Sequence, residues 1–160
     1  MQQQLERIYR AHRQGLFTLA LSITRCPELA EDAVQEAFAR LWRSAVMPEG
    51  DVVSYVFASV RNAALDQTRS RRTPGRAPTS IFDVDPVTPD SVAIDAERRQ
   101  CVRRAVDALP TRQREAVVMR LYAGLTFRQI AEILGEPLQT VASRYRRALE
   151  QIRQSVEKLI

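Results

Sequence analysis

The sequence predicts an all-α protein: two small helical domains joined by a flexible linker, the C-terminal one containing a helix-turn-helix. Three observations carry that prediction. Apolar residues recur at helical spacing between Leu5 and Leu65 and again from Leu125 to Leu149. Between those halves the chain reads TPGRAPTSIFDVDPVTPD, with Pro74, Pro78, Pro86 and Pro89 and several acids. Such a segment cannot build a helix and has little to bury. Finally, LTFRQIAEILGEPLQTVASRYRRAL over 125–149 holds two short helical patterns around a tight turn. The expected organisation is a domain over 1–72, a linker over 73–90 and a second domain over 91–160.

The first stripe is Leu5, Ile8, Tyr9, Leu16, Phe17, Ala20, Leu21 and Ile23, a helix ending near Thr24, where Cys26-Pro27 breaks the pattern. A second helix begins at Glu28, with Ala30, Ala33, Val34, Ala37, Phe38, Leu41 and Trp42 on its apolar face. Asp32, Gln35, Glu36, Arg40 and Arg43 lie mostly opposite. After the loop Met47-Pro48-Glu49-Gly50, a third helix runs from about Asp51 to Arg71. A further helix resumes near Ser91 and ends at Leu109-Pro110.

In the last stretch, Thr126 stands three residues before Gln129, the spacing of a capping box. Gly135 closes that helix and Pro137 opens the next, where a missing N–H costs little. The second helix is expected to bury Val141, Tyr145 and Leu149 and to turn Gln139, Thr140, Ser143, Arg144, Arg146 and Arg147 outward. A helix-turn-helix of the DNA-reading kind lays such a second helix in the major groove. Arginine there grips guanine edges or phosphates, while Ser, Thr and Gln add shorter contacts. A solvated basic helix face is the plainer alternative.

Composition narrows the function. The chain of 160 residues carries a formal charge of +5, and its basic side chains are arginine except Lys158. Residues 100–160 hold eleven basic and six acidic side chains, a balance suited to a phosphate backbone, with DNA, RNA and an acidic membrane surface alike in this respect. His12 is the lone histidine, and Cys26 and Cys101 stand far apart. No metal site, cofactor or disulfide framework is expected. Neither a nucleophile–base pair nor a Gly-rich phosphate loop appears, so no catalysis is expected either. The polar start MQQQLERIYRAHRQ is no secretory signal, and no apolar run reaches the ~20 residues of a membrane span. A cytoplasmic protein without membrane insertion is expected.

Three words in the sequence resemble one family. AEDAVQEAFARLW and YVFASVRNAALDQTRSRR resemble hallmarks of the N-terminal domain of the extracytoplasmic-function (ECF) sigma factors of bacterial RNA polymerase. LTFRQIAEILG followed by TVASRYRRAL resembles their C-terminal promoter-reading domain. The three occur in family order and cover nearly the whole chain. Departures are Gln129 where Glu is usual, Ala142 where Lys is frequent, Tyr55 where Trp is frequent, and Ser59-Val60 for Ile-Ala.

The resemblance implies a non-catalytic initiation subunit that binds core RNA polymerase and directs it to a two-part promoter. Asp32, Gln35, Glu36, Phe38, Leu41 and Trp42 would dock on the polymerase, although Phe38 and Trp42 equally suit core packing. Tyr55, Arg61, Asn62, Asp66, Arg69, Arg71 and Arg72 would hold and open the minus-ten DNA, with loop residues 47–51 walling a pocket for a base. For Arg69, Arg71 and Arg72 the alternative is a solvated helix end favoured by the macrodipole; for Asn62 and Asp66 it is a structural pair one turn apart. Arg128, Gln139, Thr140, Ser143, Arg144 and Arg147 would read the minus-thirty-five DNA. The linker would thread the polymerase near the RNA exit path, and an anti-sigma factor is a further implied partner. The competing reading is an autonomous helix-turn-helix regulator binding palindromic DNA as a dimer. Given this linker, the relative orientation of the two domains is not expected to be fixed when no anti-sigma factor is bound.

Overall fold

The computed structural model describes residues 2–44, 46, 48–70 and 93–158. The segment expected as the linker, together with Arg71, Arg72 and Met47, lies outside them. Every regular element among the described residues is helical. The N-terminal half comprises α1 (Gln2–Thr24), α2 (Pro27–Arg43) and α3 (Val52–Ser70). The C-terminal half comprises α4 (Ala93–Asp107), α5 (Thr111–Val117) continued by a π-helical turn (Val118–Tyr122), α6 (Phe127–Leu134) and α7 (Leu138–Glu157).

Local chemistry sets the boundaries. Pro27 occupies the first turn of α2, where its absent N–H was an orphan in any case. Asp51 caps α3: its carboxylate accepts from the Ser54 N–H at 3.2 Å and the Ser54 hydroxyl at 2.6 Å. The capping box of α6 forms as expected, with Thr126 and Gln129 exchanging bonds of 2.9 and 3.1 Å. Gly135 ends α6 at φ 65, a left-handed turn that glycine adopts without strain.

The two halves share one core, contrary to the expectation of two domains whose orientation is not fixed. Phe57, Leu16, Leu19 and Leu21 from the first half and Met119, Leu125 and Ile130 from the second are all fully buried in a continuous cluster. Gly15 makes the joint possible: a Cβ there would stand 2.9 Å from Ala123 Cα. The π-helical turn ends at that point, with the Ala123 N–H bonded to the Val118 carbonyl at 3.0 Å.

Arg114 ties the halves with its buried guanidinium. It donates to the carbonyls of Asp107 and Leu109 at 3.2 Å and to Ser22 of α1 at 3.0 Å. These carbonyls lie at or near helix C-termini and lack continuing intrahelical partners. Burial, then the neighbouring Arg25, pulls the Arg114 pKa below its ordinary value. Arg25 adds a 2.8 Å bond to the Asp107 carbonyl.

In α7, Val141 is buried as the pattern predicts and Tyr145 half-buried, but Leu149 is 38% exposed and Ala148 is fully buried instead. Ala148 belongs to the core cluster that joins the helices.

Candidate nucleic-acid and polymerase interface

The exposed half of the helix-turn-helix is the first face. Gln139, Thr140, Ser143, Arg144 and Arg147 from the N-terminal turns of α7 line one hollow of about 350 Å³. Gln139, Thr140 and Arg147 are exposed, and Arg128 is exposed on α6. Arg144 is held on one side: its Nη1 donates to Glu136 Oε2, while Arg112 Nη1 lies 3.3 Å from Glu136 Oε1. The turn itself is braced by Arg120, whose guanidinium sits 4.8 Å from the Phe127 ring centre and donates to the Leu125 carbonyl at 2.9 Å.

The second face is on α3. Tyr55, Asn62, Asp66 and Arg69 are all exposed, and their helical spacing puts them on one side. Arg61 is turned away from that side. Its Nε donates to Glu115 Oε2 of α5 at 3.1 Å, leaving only 11% and 2% of the two side chains exposed. Beside the start of α3, Glu49, Gly50, Asp51, Ser54, Tyr55, Ala58 and Glu132 of α6 surround a hollow of about 300 Å³. Gln129 of α6 holds one of its lining residues, donating from Nε2 to Asp51 at 2.8 Å. Burial raises the Asp51 pKa, but hydrogen bonds from Ser54 and Gln129 outweigh it and the net shift is downward.

On α2, Gln35 is exposed, Trp42 is 45% exposed, and Asp32 is half-buried. Glu36 bridges Arg40 at 2.6 Å and Gln67 of α3 at 3.1 Å. Phe38 packs edge-on against Tyr9 with ring centres 5.2 Å apart. Leu41, expected at a docking surface, is 9% exposed and belongs to the core, because it shares the inward stripe of Ala37 and Val34.

Glu115, Glu136, Arg114 and the second role of Gln129 escaped the reading of the sequence. Each acts across a gap of many residues, except the Glu136–Arg144 pair. Glu115 stands among Arg112, Gln113 and Arg114 at the polar start of α5, so its burial left no trace in the sequence pattern.

Among the described residues no helix is long and apolar enough to cross a membrane. The family model for Sigma-70 region 2 matches residues 8–73, and that for Sigma-70 region 4 matches 99–152. The Escherichia coli ECF RNA polymerase sigma-E factor is 33% identical over 144 residues, 81% of this chain and 74% of that protein. The Cereibacter sphaeroides ECF sigma factor RpoE is 31% identical over 130 residues, 78% of this chain and 71% of that protein. Two solved structures share the fold. The sigma factor RpoE from Bartonella quintana, crystallised with the anti-sigma factor NepR, superposes at TM-score 0.75 with 22% identity over 98% of this chain and 96% of that one. CnrH, solved with the cytosolic domain of CnrY, gives 0.68 with 21% identity over 99% and 90%. The match to region 2 accounts for the half of the chain that an autonomous helix-turn-helix regulator would leave without a task. With both regions matched in order, and with relatives above 30% identity spanning most of their own length, the chain belongs to the ECF sigma factors, the initiation subunits that direct bacterial RNA polymerase to specific promoters.

Proposed function

We propose that the two faces divide promoter recognition between the domains expected over 1–72 and 91–160, with 73–90 as the connection. The observation that carries this is the clustering of Gln139, Thr140, Ser143, Arg144 and Arg147 around one hollow on the leading turns of α7. That is the side-chain set a major-groove reader needs. In this reading α7 and Arg128 of α6 take the minus-thirty-five element. Tyr55, Asn62, Asp66 and Arg69, with Arg71 and Arg72, hold the minus-ten element, and the hollow at residues 49–55 accepts an unstacked base, which assists melting. Arg61 joins them once Glu115 releases it. The outer side of α2, with Asp32, Gln35, Glu36 and Trp42 beside the half-buried Phe38, docks on core polymerase, where the exposed Trp42 makes a strong anchor.

The protein acts as a binding subunit without catalysis of its own and works in the cytoplasm, where polymerase and DNA are. Tethering two weak DNA readers to one polymerase contact raises effective concentration, so neither needs to bind tightly alone. The packed arrangement of the halves hides Arg61 against Glu115. An anti-sigma factor that grips both halves would hold that arrangement, and promoter binding requires it to open. Run-off transcription with purified core polymerase on genomic fragments tests the reading. New start sites are expected only when the protein is added; R144A should weaken them through the upstream element and N62A through the downstream one. Start sites indifferent to both substitutions would refute the assignment.

A further inference from the structure

We propose that Glu136, in the turn of the helix-turn-helix, determines specificity by buttressing Arg144, so that the free edge of its guanidinium reads a guanine in the upstream element. The inference rests on the reading that α7 enters the major groove.

Glu136 is fixed from both sides. Its N–H bonds back to the Ala131 carbonyl at 3.1 Å, closing the turn that Gly135 opens at φ 65. Pro137 follows at φ −60 and confines the residue before it to extended backbone. A side chain on so restricted a backbone is aimed before any ligand arrives. Its two carboxylate oxygens each take one arginine: Oε2 accepts from Arg144 and Oε1 meets Arg112. Only 19% of the Glu136 side chain and 23% of Arg144 are exposed, so solvent screens this pair less than an ordinary surface pair.

An unheld arginine on a helix surface samples many rotamers and bonds any acceptor, phosphate included. Occupying Nη1 leaves Nε and Nη2, the parallel donors that match guanine O6 and N7. The carboxylate thus orders the fork in advance. It also cancels a cation and repels phosphate, which lowers sequence-independent affinity. A buttress therefore exchanges raw affinity for discrimination, and its removal should move the two in opposite directions. A purely structural Glu136 would lower both together.

The test uses the full chain with core polymerase on templates randomised over the upstream element, sequencing the transcripts. R144A marks the positions where Arg144 reads a base. E136Q is expected to lower the guanine preference at those positions about tenfold, the discrimination of roughly one good contact, and to leave other positions unchanged. Binding of the full chain to a non-promoter duplex should become tighter, with its log–log salt slope steeper by about 1. If R144A loses the preference and E136Q keeps it, the buttress is wrong and the α7 reading stands. If E136Q weakens every position and duplex binding together, Glu136 is structural and the proposal falls. If R144A changes no preference, the α7 reading fails and takes the proposal with it. Should E136Q melt early, R112Q replaces it: loss of the second anchor is expected to reduce the same preference about threefold, and an unchanged preference would overturn the idea.

Discussion

Arg61 on α3 and Glu115 on α5 form a nearly dry ion pair 54 residues apart in sequence, with Nε to Oε2 at 3.1 Å. It joins a residue that the resemblance to sigma factors gives to DNA with a residue of the other half of the chain. The pair therefore holds the halves together and withholds Arg61 in one contact. Breaking a buried pair by removing one partner costs about 3 kcal/mol, since it strands the other charge. Arg61 has an escape, because separating the halves returns it to water. E115Q is accordingly expected to enlarge the radius of gyration in small-angle scattering and to lower the concentration needed for half-maximal transcription a few-fold. A binding-competent state that is more populated raises apparent affinity in proportion. Unchanged scattering and transcription together would show that the pair does not hold the halves closed.

Gln129 explains a departure from the family pattern. Its Oε1 accepts from the Thr126 N–H at 2.9 Å and its Nε2 donates to Asp51 at 2.8 Å, so both ends of the amide are used. The Glu usual at this position would complete the cap equally well but would bring a second carboxylate to Asp51. Q129E should keep α6 intact and loosen its contact with α3, seen as faster amide exchange at residues 52–55. The double variant Q129E/D51N should restore slow exchange. Helical content by circular dichroism is expected to stay constant in both.

How much of this was legible in the chain divides along contact range. The helix ends followed from chemistry within four residues: Pro27, the Thr126–Gln129 box and Gly135 all act locally. On α7, Gln139, Thr140, Arg146 and Arg147 face outward as the period predicts. Ser143 and Arg144 are half-buried and Ala148 is buried where Leu149 was expected, because apolar and polar character say nothing of how close a neighbouring element comes. The joint between the halves was not legible. It depends on Gly15 meeting Ala123 and on Arg114 reaching the Ser22 carbonyl, and no spacing rule connects residues 92 positions apart.

The Gly15 joint makes its own prediction. Alanine is worth about 1 kcal/mol more than glycine inside a helix, so G15A should stabilise α1 taken alone. Its Cβ would stand 2.9 Å from both Ala123 Cα and Cβ, and overpacking of this kind costs about 1–3 kcal/mol. The expected result is a full-length protein whose amides in 118–125 exchange faster while those within α1 hold or slow. Uniform slowing across both segments would mean that the joint relaxes without cost.

Asp51 should make the closed arrangement sensitive to acid. Its pKa lies below the ordinary 3.8, because bonds from Ser54 and Gln129 to the carboxylate outweigh its burial. A carboxyl lowered on folding contributes stability in full above its unfolded value, and that contribution fades as pH falls through the lower, folded one. The contact between α3 and α6 is therefore expected to be intact from neutral pH down to about 4 and to weaken below it. Wild type alone does not isolate the residue, so a variant that cannot titrate there is the comparison. D51N retains a side-chain oxygen for the cap but cannot titrate. Exchange at residues 52–55, followed from pH 6 to pH 3 after correction for the intrinsic rate, should accelerate in wild type more than in D51N. Equal acceleration in the two would show that Asp51 is not the source of the acid response.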